Sequence, residues 1–286
     1  MKKISIFALF ALLISTLLIS IWLFLVKPEE FQVPSALTRK DFAALDSYCN
    51  ELQRNFENGQ INEIQLRNGY RPFYKLDSQQ QAALYEWPKN MPNSYGAHLA
   101  LGIFLKRAGL DVRGEKSASE TKDEQFKEME RLFALALSEL NQSLQLSQKP
   151  YLSLFHLLDI SRVVGDSKAS KEFFIQANQL LPQNRLVKNR YLISLTPRWG
   201  GSHEQMREFI LENKKTGTDK EEILLMEAIM YDDIGDEAWR RNDHAIAKFY
   251  FLKALDNAVK VDGSYRDDLV SSKLYICSDP NHPYCK

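Results

Sequence analysis

Glycine is scarce in this chain, at 12 of 286 residues, or about 4% against the roughly 7% usual in globular proteins. Nowhere do Val, Ile, Thr and aromatic residues alternate at period two for long, so a β-sheet core is not expected. Net charge is missing as well: Lys+Arg and Asp+Glu both number 37. A nucleic-acid partner, whose phosphates need a basic face, is therefore not expected. Without the N-terminal Lys2 and Lys3 the balance is 35 against 37, too even for strong electrostatic steering. Cysteines are few: Cys49, Cys277 and Cys285.

Catalytic signatures are also wanting. The five histidines, His98, His156, His203, His244 and His282, are scattered without zinc-ligand spacing, and no metal or cofactor is expected. Ser119-x-x-Lys122 and Lys215-Thr216-Gly217 match two penicillin-binding motifs. The first lies in a polar loop and the second joins two helices, whereas that chemistry needs a buried helix and a strand. Gly165-Asp166-Ser167 follows a helix and is not a G-x-S-x-G elbow. The acid pairs Asp232-Asp233 and Asp267-Asp268 point apart on a helix and solvate a face. No enzymatic activity is expected.

What is present begins with one long apolar run. Ile4 to Val26 carries no charge; as a helix it reaches about 35 Å, enough for a hydrocarbon core of about 30 Å. Lys2 and Lys3 precede it, which keeps the N-terminus cytoplasmic, and Trp22 sits near the outer interface. The run lacks a small-x-small site, so residues 1–27 read as an uncleaved single-pass anchor. A cleaved signal peptide is the competing reading. Either way the bulk of the chain is expected in the periplasm of a bacterium with an inner membrane. Pro28 and Pro34 make residues 28–37 a short extended tether. Export permits oxidation, and Cys277-Ser-Asp-Pro-Asn-His-Pro-Tyr-Cys285 is expected to close a disulfide that clips the 277–286 tail. A metal site with His282 is the alternative. Cys49 lies on an apolar stripe and reads as a buried small hydrophobe, with a disulfide or a nucleophile as the alternative.

Between these ends the apolar spacing is helical. Thr38 and Asp41 supply a cap for Phe42, Leu45, Cys49, Leu52 and Phe56, stopped at Asn58-Gly59. Asp77 or Ser78 opens a helix that Pro88 ends, and Ser94 opens another that stops at Gly109. Asp111 to Asp123 is a polar loop, either solvated filler or part of a binding surface. Phe126, Met129, Phe133, Leu137, Leu140 and Leu144 mark a long amphipathic helix. Leu154, Leu157, Leu158 and Val164 mark the next, ended at Gly165. Ser202 and Gln205 form a capping box. Helices follow over Glu221–Ile234 and Asn242–Val261, and Asp267 to Ile276 is a last helix or edge segment.

Tyr231, Ile234, Gly235, Ala247, Phe251 and Ala254 fall at spacings that resemble the tetratricopeptide repeat, a helix-turn-helix unit of about 34 residues. Leu154, Leu157, Phe174, Ala177 and Pro182 keep the same offsets more weakly. The resemblance implies an all-α, TPR-like α-solenoid of antiparallel helix pairs over residues 38–276, preceded by one transmembrane helix. Trp199-Gly200-Gly201-Ser202, with Met206 and Phe209, resembles a bacterial family catalogued as a domain of unknown function. So do Asn93-Ser94-Tyr95-x-Ala97-His98-Leu99-x-x-Gly102 and Arg113-Gly114, giving a likeness over roughly Leu37 to Asn213. It implies helical repeats and no assigned chemistry.

Stacked helix pairs bury their apolar faces against each other and offer a groove. The expected function is a membrane-anchored scaffold that binds a protein or peptide partner. Arg113, Trp199, Ser202 and His203 are the candidate partner-binding residues, because glycines allow close backbone approach and a helix N-terminus favours anions. A purely structural helix junction is the other reading of that turn. An immunity or inhibitor protein for an exported toxin, and a hydrolase using the 111–123 loop and the Trp199 turn, are the alternative functions.

Overall fold

The computed structural model describes residues 31–114 and 120–261. The described residues contain α-helices and short 3-10 turns and no strand. The anchor expected at 4–26, the last segment expected over Asp267 to Ile276 and the disulfide expected between Cys277 and Cys285 all fall outside the described residues. Among the described residues no helix is long and apolar enough to cross a membrane.

The helices are α1 (Val33–Thr38), α2 (Phe42–Glu57), α3 (Glu63–Gly69), α4 (Ser78–Asn90), α5 (Tyr95–Arg113) and α6 (Asp123–Leu146). There follow α7 (Tyr151–Val164), α8 (Ser167–Leu180), α9 (Leu186–Ser194), α10 (His203–Lys215), α11 (Lys220–Arg240) and α12 (His244–Ala258). Short 3-10 turns, Arg71–Tyr74 and Pro197–Trp199, follow α3 and α9.

Local chemistry sets most of the starts. Asp41, Ser94, Asp166, Ser202, Asp219 and Asp243 each accept a backbone N–H of the helix they precede. Asn62 with Gln65 and Asp77 with Gln80 close reciprocal capping boxes. Each such cap stabilises its helix by about 1 kcal/mol.

Consecutive helices then pair. α5 lies along α6, α7 against α8, and α11 along α12. Close approach needs a missing side chain. A Cβ on Gly102 would lie 2.7 Å from Leu140 Cγ, and one on Gly235 would lie 2.6 Å from the Phe251 ring. One large core runs from Val33 to Val187, with Trp87, Tyr70, Tyr151 and Phe73 fully buried. A second, around Met206, Phe209, Ile210 and Met226, joins α9, α10 and α11. A small third cluster of Ala238, Ala247 and Phe251 closes the last pair.

Several boundaries differ from the sequence reading. The expected tether over 28–37 is helical from Val33, because Pro34 falls at the helix start, where its absent N–H costs nothing. Val33, Ala36 and Leu37 bury there. Thr38 ends α1, and Asp41 alone caps α2. Pro88 lies inside the last turn of α4. α5 runs past Gly109 to Arg113, with an Arg107–Asp111 pair at 2.9 Å along its surface. The polar loop is therefore shorter than 111–123, and its residues 115–119 are outside the described set. α11 extends to Arg240 rather than Ile234. Val164 is 53% exposed rather than in the core. Phe174 is half-buried, stacked 4.4 Å from Tyr191.

Candidate functional site

Where α7 stops at Gly165, the chain leaves an open cleft of about 860 Å³. The end of α5, the start of α6, the Pro197–Trp199 turn and the later part of α11 form the other walls. Trp199, Trp239, Phe126 and Val164 supply apolar surface, while Arg113, Arg240, Asp233 and Asp236 supply both signs of charge.

The turn that carries Trp199 is fixed by its backbone. Gly200 takes φ +87°, in the left-handed region that glycine adopts without strain. The Gly200 and Gly201 N–H groups donate to the Pro197 and Thr196 carbonyls. The indole is held by cations: Arg162 lies 4.4 Å and Arg198 5.3 Å from its centre. Arg113 reaches the Phe126 ring at 6.0 Å and donates to the Gly114 carbonyl at 3.1 Å.

Of the four residues singled out from the sequence, Arg113 and Trp199 line this one cleft. His203 stands behind its wall. Its Nε2 is 2.7 Å from Asp233 Oδ2, and its Nδ1 is 3.6 Å from Glu237. Burial raises the Asp233 carboxyl above its ordinary range, and the His203 bond offsets only part of that rise. Ser202 caps α10, accepting the Gln205 N–H at 3.2 Å. Ser202 thus starts α10, and His203 ties that helix to α11.

Sequence reasoning missed an ionic cluster directly behind Trp199. Asp159, 4% exposed, accepts from Lys106 Nζ at 2.6 Å and from Arg162 at 2.8 Å, and lies 3.1 Å from Arg190. Burial alone would raise the Asp159 carboxyl, yet Arg190, Lys106 and Arg162 together hold it well below its usual value. Burial, followed by repulsion from Lys106, pushes the neighbouring His156 well below its ordinary value and keeps it neutral. A signal was available: Lys106 ends an apolar run from Leu99, and Asp159 interrupts one from Leu152.

Lys215 ends α10 and Thr216 caps it, so Lys-Thr-Gly lies at a helix end. Among the described residues no group of three or more His, Cys, Asp or Glu side chains sits close enough to hold a metal ion. Cys49 is a fully buried free thiol, which burial pushes up to about 12, so it stays protonated.

Residues 30–179, more than half of the chain, match the family model described as a domain of unknown function, DUF4034. The chain belongs to this family. The DUF4034 segment holds Arg113, Lys106, Asp159 and Arg162 but ends within α8. The Trp199-Gly200-Gly201-Ser202 turn therefore lies beyond the matched residues, not within them as the sequence likeness over Leu37 to Asn213 implied. No curated protein and no solved structure matches the chain.

Proposed function

We propose that this DUF4034 protein is a non-enzymatic scaffold, anchored in a bacterial inner membrane through residues 4–26, that holds a segment of a protein partner in the Trp199 cleft. The bulk of the chain, in this reading, lies in the periplasm. The helix pairs form an array of the TPR-like kind, with Gly235, Ala247, Phe251 and Ala254 at the repeat's small and aromatic positions.

The cleft carries the proposal. Two tryptophans and three arginines in one concavity are of the residue types that dominate protein interfaces. Trp199 is braced by Arg162 and Arg198, so little side-chain freedom is lost when a partner covers it. The wall presents Arg113 and Arg240 beside Asp233 and Asp236. That pattern suits a peptide with an apolar side chain flanked by charges of both signs.

The test is photo-crosslinking in cells, with the reactive residue placed at the exposed Val164 of the full-length protein. One discrete adduct is expected, and it should disappear in W199A. An adduct indifferent to W199A, or none at all, overturns the cleft as the partner site. Topology is tested separately. Alkaline phosphatase fused after Leu37 should be active, and an inactive fusion overturns export. The same reading pairs Cys277 with Cys285, so mass spectrometry of the unreduced C-terminal peptide should find them bridged.

A further inference from the structure

A second cavity, of about 350 Å³, opens among α3, the Arg71–Tyr74 turn, α5, α7 and α9. Six cationic side chains line it: Arg67, Arg71, Lys106, Arg107, Arg162 and Arg190. Asp159 is the one carboxylate among its lining residues. The chain as a whole is neutral, so this excess is local. A purely structural ion-pair network would match cations to anions in similar number. Here Asp159 already serves Lys106, Arg162 and Arg190. Arg107 is answered by Asp111 outside, at 2.9 Å. Arg67 and Arg71 meet no further carboxylate in the cavity wall.

Depth grades the site. Arg71 stands exposed at the mouth, and Lys106 and Asp159 are buried at the floor, 7% and 4% exposed. Lys106 is held below its ordinary value by burial, against the opposing pull of Asp159 and with Arg190 and Arg162 adding to the fall. Crowding cations in a low-dielectric cavity is costly unless an anion completes the set. One further wall is apolar, formed by Ile103, Leu110, Phe155 and Ile193.

We propose that this cavity binds a small phosphate monoester, its dianionic phosphoryl group held by Arg67, Arg71 and Lys106 and its organic remainder against the apolar wall. The surplus charge exceeds what one carboxylate would neutralise. Guanidinium forks match phosphoryl oxygens in bidentate geometry. The volume lies at the small end of ligand sites, about 300–1,000 Å³, and leaves room beyond the phosphoryl group. Phosphatidic acid offers the same chemistry from a membrane, but its two acyl chains are too large for a cavity of about 350 Å³.

Titration calorimetry on the full-length protein in detergent tests this. The probes are inorganic phosphate, glycerol 3-phosphate, glycerol, acetate and vesicles containing phosphatidic acid. Glycerol 3-phosphate should bind more tightly than inorganic phosphate, and glycerol and acetate should give no saturable heat. R71Q and R67Q should each weaken binding about tenfold or more. R131Q, on the exposed face of α6, should change nothing. Arg71 is exposed, so R71Q tests the site even if R67Q fails to fold. The proposal is overturned by silence from both phosphates, by equal binding of acetate, by R71Q binding like the parent, or by a response to vesicles alone. Neither Arg67 nor Arg71 lines the Trp199 cleft, so failure here and failure of the scaffold reading are separate results.

Discussion

The guanidinium of Arg162 lies 4.4 Å from the centre of the Trp199 indole and also donates to Asp159 at 2.8 Å. One side chain thereby joins the open cleft to the buried ionic floor. A partner pressing on Trp199 would act on a residue whose support reaches α5 and α9 through Asp159.

That support has an unequal sensitivity to its members. Removing Lys106 leaves Asp159 with Arg162 and Arg190, whereas removing the Asp159 charge leaves three cations facing one another. D159N should therefore lose about 3–5 kcal/mol of stability, and K106M clearly less. Urea unfolding of both variants checks the order. Equal losses would mean that Asp159 does not organise the cluster.

Two glycines should tolerate alanine differently. A Cβ at Gly235 meets the Phe251 ring at 2.6 Å, while one at Gly201 meets the Leu195 carbonyl oxygen at 2.2 Å. An aromatic ring can tilt, so G235A should cost about 1–3 kcal/mol, the usual range for overpacking. F251L should relieve part of that cost. A backbone carbonyl cannot yield without moving the Trp199 turn, so G201A should cost more. It should also abolish the Val164 crosslink. Melting temperatures of G235A, G235A/F251L and G201A decide this, and G201A melting above G235A would contradict it.

Two histidines should give pH dependences of opposite sign. His156 is neutral in the fold because burial, then Lys106, depresses it well below its ordinary 6.5. The unfolded chain takes up a proton below that value and the native chain does not, so stability falls on acidification. H156F should flatten this acid-side loss. His98 is raised, first by its bond to Glu139 at 2.7 Å, with burial acting against it. Its contribution is complete below 6.5 and is lost as pH rises through the raised folded value. H98Q should therefore lose more stability at about pH 5.5 than at about pH 8. Unfolding midpoints at the two pH values settle both signs.

Much of the helical pattern was legible because its causes are local. Asp77, Ser94 and Asp166 cap helices through bonds spanning three residues. Gly235 and Phe251 sit at an offset that one hairpin fixes. Misplaced ends had local rivals that lost to packing. Pro34 starts a helix because Val33 and Leu37 have a core to enter, and α5 outruns Gly109 because that glycine faces Phe133 of α6. Arg113 and Trp199 could be named from the sequence, but no spacing said that they share a cleft.

The chain alone dictated an all-helical body, since capping side chains and three-to-four apolar spacing act within a few residues of each other. Only the tertiary structure decided where charge collects. Arg67, Lys106, Asp159 and Arg190 come from four different helices, and no periodicity relates positions that far apart. Packing brings them together because the neighbouring apolar faces must bury, and whatever polar groups those faces carry are buried with them.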